Sequence, residues 1–421
     1  MHSARIPRCA TMSRTHPSAP GTTVASHPGA PMIVQLETTD VAHGGYCVAR
    51  HEGMVVLVSG AAPGEVVDAE ITAQRAKLWY GRTVRVHQAS ADRVPHPWDL
   101  AERMGIGGAD LGHVSLEAGR RWKARVIETQ MLRLAHLPVE VEVEEVPGDQ
   151  DRRGLGWRTR VTLQVCLGRV GMYAAKSHQI VEVDGMPLAH EDIHQAICAD
   201  VARGVSGPDG PRLYVRSSES DLVVHTEADC ATPVTVEEEV RTYDGRWTYR
   251  VGADCFWQVH RQAPAVLVEA VLAGVAGVPG PVADLYAGAG LFTQPLADLR
   301  GDPVTAVEAS ARSADFLRAN TAGQDVVCLV GDVVDVLSTF CPGSGGVVVC
   351  DPPRRGAGSQ AVQQMARLGP DRIVYVACDP AALARDVSLF DGFGYDLTSL
   401  RAFDLFPLTH HVESVAVLSK R

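Results

Sequence analysis

The sequence predicts an α/β protein, with a Rossmann-like parallel sheet in its C-terminal part, a small β-barrel at its N-terminal end and a central α+β unit between them. Three observations lead there. After Phe256, apolar β-runs alternate regularly with helical stretches; each run ends in polar or glycine residues, as strands buried on both faces do; and residues 32–94 instead carry short β-runs broken by turn chemistry. A chain of 421 residues exceeds what one ordinary core organises, and its 46% hydrophobic content suffices for two or three.

Residues 1–31 are rich in Ser, Thr, Pro, His and Ala and lack the apolar core of a secretory signal, so they read as a disordered tail. Met32 opens the first β-patterned run, and an alternative is that translation starts there. Over 32–94, the turn pairs Gly44 and Gly45, Glu52 and Gly53, and Pro63 and Gly64 set off MVVLVSG (54–60), EVVDAEIT (65–72) and RTVRVHQ (82–88). Such short, closely spaced strands suggest an oligonucleotide-binding (OB-like) barrel. Arg75, Lys77, Trp79, Tyr80, Arg82 and Arg85 interleave cations with aromatics, which suits backbone tracking and base stacking. The alternative places the aromatics in the barrel core.

The central unit, 95–230, mixes a helical run (116–134) with strands such as RTRVTLQVCL (158–167), and Gly207, Pro208, Gly210 and Pro211 mark a loop. Two basic clusters stand out: Arg120, Arg121, Lys123 and Arg125, then Arg152, Arg153, Arg158 and Arg160. Because the net charge is −11, a nucleic-acid partner has to be met by local patches of this kind. A solvated face explains either cluster as well.

The last unit, 231–421, opens with an Ala- and Val-rich helix over 263–275. Its strands are PVADLYAG (281–288), PVTAVEAS (303–310), DVVCLVGD (325–332), GVVVCDPP (346–353) and RIVYVACD (372–379). Two final runs, 395–406 and 411–420, have almost no helix between them, which predicts an antiparallel pair at the end of the sheet. That arrangement is typical of a class I (Rossmann-like) methyltransferase domain and not of dehydrogenases.

In an open parallel sheet, ligands bind at the carboxyl ends of the strands. The first run ends in DLYAGAG (284–290), where glycines such as Gly288 let backbone approach a ligand closely. Thr293 stands where the dinucleotide fingerprint has its third glycine, which disfavours a nicotinamide cofactor. Glu308 ends the second strand, where a carboxylate can accept both ribose hydroxyls of a nucleoside, and Asp332 ends the third, near an adenine amino group. Either acid can instead cap the following helix.

The fourth strand ends in DPPRRG (351–356), whose prolines fix a rigid turn around Asp351. The fifth ends in ACDPAALARD (377–386), which sets Cys378 near a helix N-terminus that favours a thiolate. A small buried hydrophobe is the plain alternative. Glu413, an acid within an apolar strand, either pairs with a cation or has a chemical task. Strand alternation places His411 on the face of Glu413 and points His410 the other way, which disfavours a metal site there.

Ten cysteines without a C-x-x-C pair argue against a zinc framework or a disulfide scaffold and fit a reducing cytoplasm. No charge-free apolar stretch of bilayer length occurs, so no membrane span is expected.

Residues 284–292, 351–356, 375–386 and 406–413 together resemble the motif set of the RNA uracil-5 methyltransferase family, and about 33–92 is similar to a TRAM domain. The resemblance spans nearly the whole chain. It implies S-adenosylmethionine as cofactor, Cys378 as nucleophile and Glu413 as general base. It also implies that Gln258, Tyr286, Glu308, Asp332 and Asp351 contact the cofactor, with Gln258 and Asp351 close to the target uracil. Several positions depart from the family pattern. Asp379 replaces the usual Asn, Ala382 the usual Thr, His260 a common Asn, and Leu291 an Asn found in some members. Many rRNA-type members hold a [4Fe–4S] cluster on four cysteines. The matching positions here are His96, Ile106, Ala109 and Met186, so no iron–sulfur cluster is expected.

The resemblance therefore implies that Cys378 adds to C6 of a uridine, that C5 takes a methyl group, and that Glu413 removes the C5 proton. Phe256 or Trp257 would support the flipped base. Expected partners are RNA, with 23S rRNA ahead of tRNA, and neither DNA nor a membrane, for a cytoplasmic monomer. Two rivals are RNA cytosine-5 methylation, which usually needs a second cysteine in the fourth-strand motif, and a non-catalytic RNA-binding factor.

Overall fold

The computed structural model describes residues 31–166, 168–175, 177–199, 201, 212–218, 221–226, 234–301, 303–339 and 345–421. The tail up to residue 30 and the loop containing Gly207, Pro208, Gly210 and Pro211 lie outside the described residues.

Five strands, β1 (Ile33–Ala42), β2 (Tyr46–His51), β3 (Met54–Ser59), β4 (Val66–Arg75) and β5 (Leu78–Gln88), close into a barrel in the order β1-β2-β3-β5-β4. Period-two alternation turns Val34, Leu36, Cys47, Ala49, Val56, Val58, Val67 and Ala69 inward. Trp79 and Tyr80 are half-buried, with Trp79 against this core, while Arg75, Lys77 and Arg85 stay exposed. Glu65 is fully buried and accepts hydrogen bonds from Nε and Nη2 of Arg93 and from the amides of Ala62 and Ser90. Burial alone would raise its carboxyl, but these four donors hold it below its ordinary range.

After α1 (Asp99–Met104), α2 (Leu116–Gln130) is capped by Ser115, whose hydroxyl accepts from the amide of Ala118. It runs on into a π-helical turn, Met131–Ala135, that stops at His136 in the left-handed region. Trp122 and Val126 on α2 complete the barrel core. Between β6 (Val143–Glu144) and the large C-terminal sheet lie β7 (Arg160–Cys166), β8 (Arg169–Tyr173), β9 (Ile180–Glu182), α3 (Glu191–Cys198), β10 (Arg212–Ser217) and β11 (Leu222–Thr226). These strands form an antiparallel sheet, β11-β10-β7-β8-β9. A hairpin not anticipated from the sequence follows, β12 (Thr235–Arg241) and β13 (Arg246–Gly252), burying Val236, Trp247, Tyr249 and Val251.

The large sheet begins beyond α4 (Ala263–Val275). Its elements are β14 (Val282–Leu285), α5 (Thr293–Arg300), β15 (Val304–Glu308), α6 (Ala311–Asn320), β16 (Val326–Val330), α7 (Val333–Thr339), β17 (Val347–Cys350), α8 (Gly358–Leu368), β18 (Arg372–Ala377), α9 (Pro380–Gly392), β19 (Tyr395–Phe403) and β20 (Glu413–Lys420). The order is β16-β15-β14-β17-β18-β20-β19-β6, with the first five parallel and β20 antiparallel to both its neighbours. The chain reverses its direction of travel between β14 and β17, the switch point where such sheets bind ligands. The expected antiparallel pair is present. The sequence did not show that β6, from the central region, extends the edge by pairing Ala402 with Val143 and Phe403 with Glu144. Two residues are too few to carry a periodic signal. Apolar clusters cover both sheet faces, which explains why the parallel strands are apolar throughout. Among the described residues no helix is long and apolar enough to cross a membrane.

Candidate active site

The parallel strands all end at one edge, and β20, being antiparallel, starts there. At the end of β14, Tyr286 sits at φ 63 and Gly288 at φ 58, and a Cβ built on Gly288 meets nothing within 4 Å. A left-handed tyrosine is costly and persists only where its surroundings impose it. Oε2 of Glu308 accepts from the Gly288 amide at 2.8 Å, and its Oε1 accepts from Ser310 N at 2.7 Å. Asp332 is exposed and accepts from Val334 N at 2.8 Å, so it does cap α7. Each of these carboxylates keeps lone pairs for a ligand.

Asp284, which the sequence showed only as the first residue of the glycine motif, is fully buried behind this loop. Its Oδ2 accepts from the Thr293 hydroxyl at 2.5 Å and its Oδ1 has no hydrogen-bond partner. Burial pushes its carboxyl up to about 7. Bare loop backbone, an acid one strand over and an orphaned buried acceptor make a set that fits a nucleoside cofactor.

The second half of the site lies on β17, β18 and β20. Asp351 follows β17, and its amide donates to Leu285 O at 3.3 Å. Cys378 follows β18, and Asp379 caps α9 by accepting from Ala382 N at 2.8 Å. The last β18–β20 pair is Ala377 with Ser414, so one step further along the register Cys378 faces Glu413. Glu413 is 3% exposed. Burial, then the Asp351 carboxylate, push its carboxyl well above the ordinary range, against the opposing charge of Arg354. Burial pushes Asp351 up to about 7.

The expected thiolate is not favoured in this state. Burial first, then Glu413 and Asp351, push the Cys378 thiol up to about 12, and Arg354 is the cation that opposes them. Desolvation and neighbouring carboxylates outweigh the helix terminus here. Arg354 carried no role in the sequence reading, although it stands beside the predicted acid in DPPRRG.

Gln258 is 7% exposed in the segment between β13 and α4. That segment is held by Arg160, which donates to Trp257 O at 3.0 Å, and by Thr159 N, which donates to Val259 O at 2.8 Å. Trp257 packs 5.1 Å from the Tyr249 ring, and the Tyr249 hydroxyl donates to Leu291 O in the loop after β14. Trp257 is therefore core and unable to support a base, whereas Phe256 is 66% exposed.

Other expectations change. Every cation of the first basic cluster is paired: Arg120 with Glu145, Arg121 with Asp92 and Glu117, Arg125 with Asp40, and buried Lys123 with Asp404. In the second, Arg152 pairs with Asp149, while Arg158 and Arg160 donate to backbone carbonyls. Apart from Glu117 and Asp149, the acids that close these pairs are distant in sequence, so a linear reading misses them. His410 and His411 precede β20, so strand alternation does not separate them; their rings lie 4.1 Å apart. His410 bonds Asp110, and burial lowers His411 to about 4. Of the positions matched to cluster ligands, Ile106, Ala109 and Met186 are buried in one apolar core and Nε2 of His96 bonds Ala109 O at 2.9 Å, a donor set that does not fit iron.

Comparisons with known proteins show the family. The model of the tRNA (Uracil-5-)-methyltransferase family matches residues 343–421, and that of the TRAM domain matches 31–84. An uncharacterized RNA methyltransferase of Bifidobacterium longum is 36% identical over 92% of this chain and 97% of its own length. Another from Streptomyces avermitilis is 38% identical, covering 91% and 97%. The crystal structure of the Pyrococcus abyssi tRNA (uracil-54, C5)-methyltransferase in complex with S-adenosyl-L-homocysteine superposes with a TM-score of 0.67 at 21% identity. It covers 91% of this chain and 99% of that one. At that identity the likeness speaks for the fold.

Proposed function

The chain belongs to the RNA uracil-5 methyltransferase family and depends on S-adenosylmethionine, and from that premise we propose that it converts a uridine of 23S rRNA to 5-methyluridine through a covalent bond from Cys378 to C6. The observation that carries this reading is that Cys378, one residue beyond the Ala377–Ser414 pair of β18 and β20, lies within electrostatic reach of both Glu413 and Asp351.

When bound, S-adenosylmethionine supplies an electrophilic methyl on a sulfonium sulfur. Uracil C5 is too weak a nucleophile to take it unaided. Sγ of Cys378, once deprotonated, forms a bond to C6; the C5–C6 π pair moves onto C5 and O4 as an enolate, and C5 then takes the methyl as the sulfur–methyl pair stays on sulfur. Glu413 removes the C5 proton; that pair re-forms the double bond and the C6–S bond breaks, returning Cys378 as thiolate. A carboxylate with a raised pKa is the stronger base for this last step. Asp351 and Gln258 orient the ring, and Phe256 is the exposed aromatic available to the flipped base.

RNA cytosine-5 chemistry is disfavoured by Cys350, the thiol nearest the fourth-strand motif, which is fully buried in the apolar core. A TRAM-matched barrel with exposed Arg75, Lys77 and Arg85 supports an RNA-binding unit over 32–94, followed by a central unit (95–230) and a catalytic unit (231–421). The test is release of tritium from RNA labelled at uridine C5, with mapping of 5-methyluridine in rRNA and tRNA from a deletion strain. Release with loss of the modification from 23S rRNA is expected. Loss from tRNA moves the target, and methylation without C5 tritium release rejects the chemistry.

A further inference from the structure

The barrel meets the catalytic corner through its β1–β2 turn. The β1–β2 turn, His43 to Gly45, reaches the loop after β18, where Nε2 of His43 lies 3.3 Å from Oδ2 of Asp379. Oδ1 of the same carboxylate is already occupied by the Ala382 amide at the start of α9. Gly45 has φ +78, and a Cβ on it would stand 2.7 Å from Oδ2 of Asp110 and 3.3 Å from Cβ of His410. A side chain there would prevent the turn from seating. Asp110 in turn accepts from the backbone N–H of His410 at 3.0 Å and bonds its Nδ1 at 2.6 Å. The His43 and His410 rings meet edge-on with centroids 6.4 Å apart. The turn is thus fastened to two segments at once, the one carrying Cys378 and the one leading into Glu413.

Resting on the assignment of Cys378 as nucleophile, we propose that His43 is a positioning residue for it: its ring holds and screens the Asp379 carboxylate beside the thiol, so the barrel must be seated for Cys378 to react. An ionised carboxylate one residue from Cys378 opposes thiolate formation. Asp379 joins Glu413 and Asp351 in doing so, with Arg354 the cation on the other side. His43, with the amides of Ala381 and Ala382, keeps Asp379 ionised below its ordinary range, so its charge has to be offset where it stands. With its Nε2 at 3.3 Å from Oδ2, the His43 ring is close enough to offset part of that charge electrostatically. The charged and titratable groups around this corner are His43 on the barrel, Asp110, His410 and His411 on the loops, Asp351 and Arg354 after β17, and Glu413 on β20.

The experiment measures covalent adduct formation by the full-length protein with RNA containing 5-fluorouridine, as a function of pH. With S-adenosylmethionine present, C5 would carry fluorine and the transferred methyl and have no proton to lose, so the Cys378 adduct accumulates. His43→Ala is expected to slow adduct formation about tenfold near neutral pH and to move its pH midpoint up by about one unit, with RNA affinity unchanged. Asp379→Asn keeps an α9 cap while removing the charge, and is expected to react at least as fast as wild type. Combining the two substitutions is expected to restore the rate to that of Asp379→Asn, which a merely structural role for His43 would not do. The proposal is overturned by a His43→Ala protein that reacts at the wild-type rate, by a defect that persists in the double variant, or by one confined to RNA affinity. Wild-type protein that forms no adduct rejects the nucleophile assignment instead.

Discussion

Oε2 of Glu308 accepts the Gly288 amide at 2.8 Å, tying the acid that ends β15 to the glycine loop that ends β14. One carboxylate thus shapes the loop and keeps lone pairs for a ligand. Glu308→Ala is expected to weaken binding of S-adenosylhomocysteine by about 10- to 100-fold, the loss of charge-assisted hydrogen bonds worth roughly 1.5–3 kcal/mol, with little change in melting temperature. Titration calorimetry measures it; unchanged affinity would remove Glu308 from the cofactor site.

Lys123 on α2 is 1% exposed, pairs with Asp404 and donates to Phe406 O at 3.0 Å, so it anchors the segment that carries His410, His411 and Glu413. Lys123→Ala leaves a buried carboxylate unpaired and is expected to cost about 3–5 kcal/mol, read as a lower urea midpoint. Replacing both partners by apolar residues is expected to recover most of the loss.

Gly356 and Asp386 are in close contact. A Cβ on Gly356 would stand 2.7 Å from Oδ2 of Asp386, which also accepts from Ala357 N at 2.7 Å and from the Tyr375 hydroxyl at 2.5 Å. Asp386 therefore holds the turn after Asp351 against α9. Gly356→Ala is expected to lower kcat at least tenfold, since an ångström-scale displacement of reacting groups is felt strongly, while cofactor affinity is retained. Steady-state kinetics with calorimetry separates the two.

Asp351 has a sign that can be checked. Its folded carboxyl is pushed up to about 7, whereas an unfolded Asp titrates near 4. Between those values the folded protein holds a proton the unfolded chain has released, so this group's contribution to stability falls as pH rises through that window. Asp351→Asn is expected to melt higher than wild type at pH 8, to gain less at pH 5, and to lose methylation. Equal melting of both proteins at pH 8 would contradict the buried-carboxyl reading.

How far the sequence could be read follows from the range of each signal. The parallel strands were legible because burial on both faces makes each run apolar, and their terminal residues Glu308, Asp351 and Cys378 could be placed at one edge from order alone. What escaped depends on partners distant in the chain: the acids that pair Arg120 and Arg125, the two-residue β6, and the core position of Trp257. The Cys378 thiol was read from its helix terminus, a local feature, whereas burial and carboxylates from β17 and β20 decide its state.

The most direct measurement is the intact mass of the protein after incubation with S-adenosylmethionine and 5-fluorouridine RNA. Wild type is expected to gain one RNA joined at Cys378, and Cys378→Ala to gain none and to transfer no methyl group to unmodified RNA. A Cys378→Ala protein that still forms the adduct, or still makes 5-methyluridine, would contradict the mechanism.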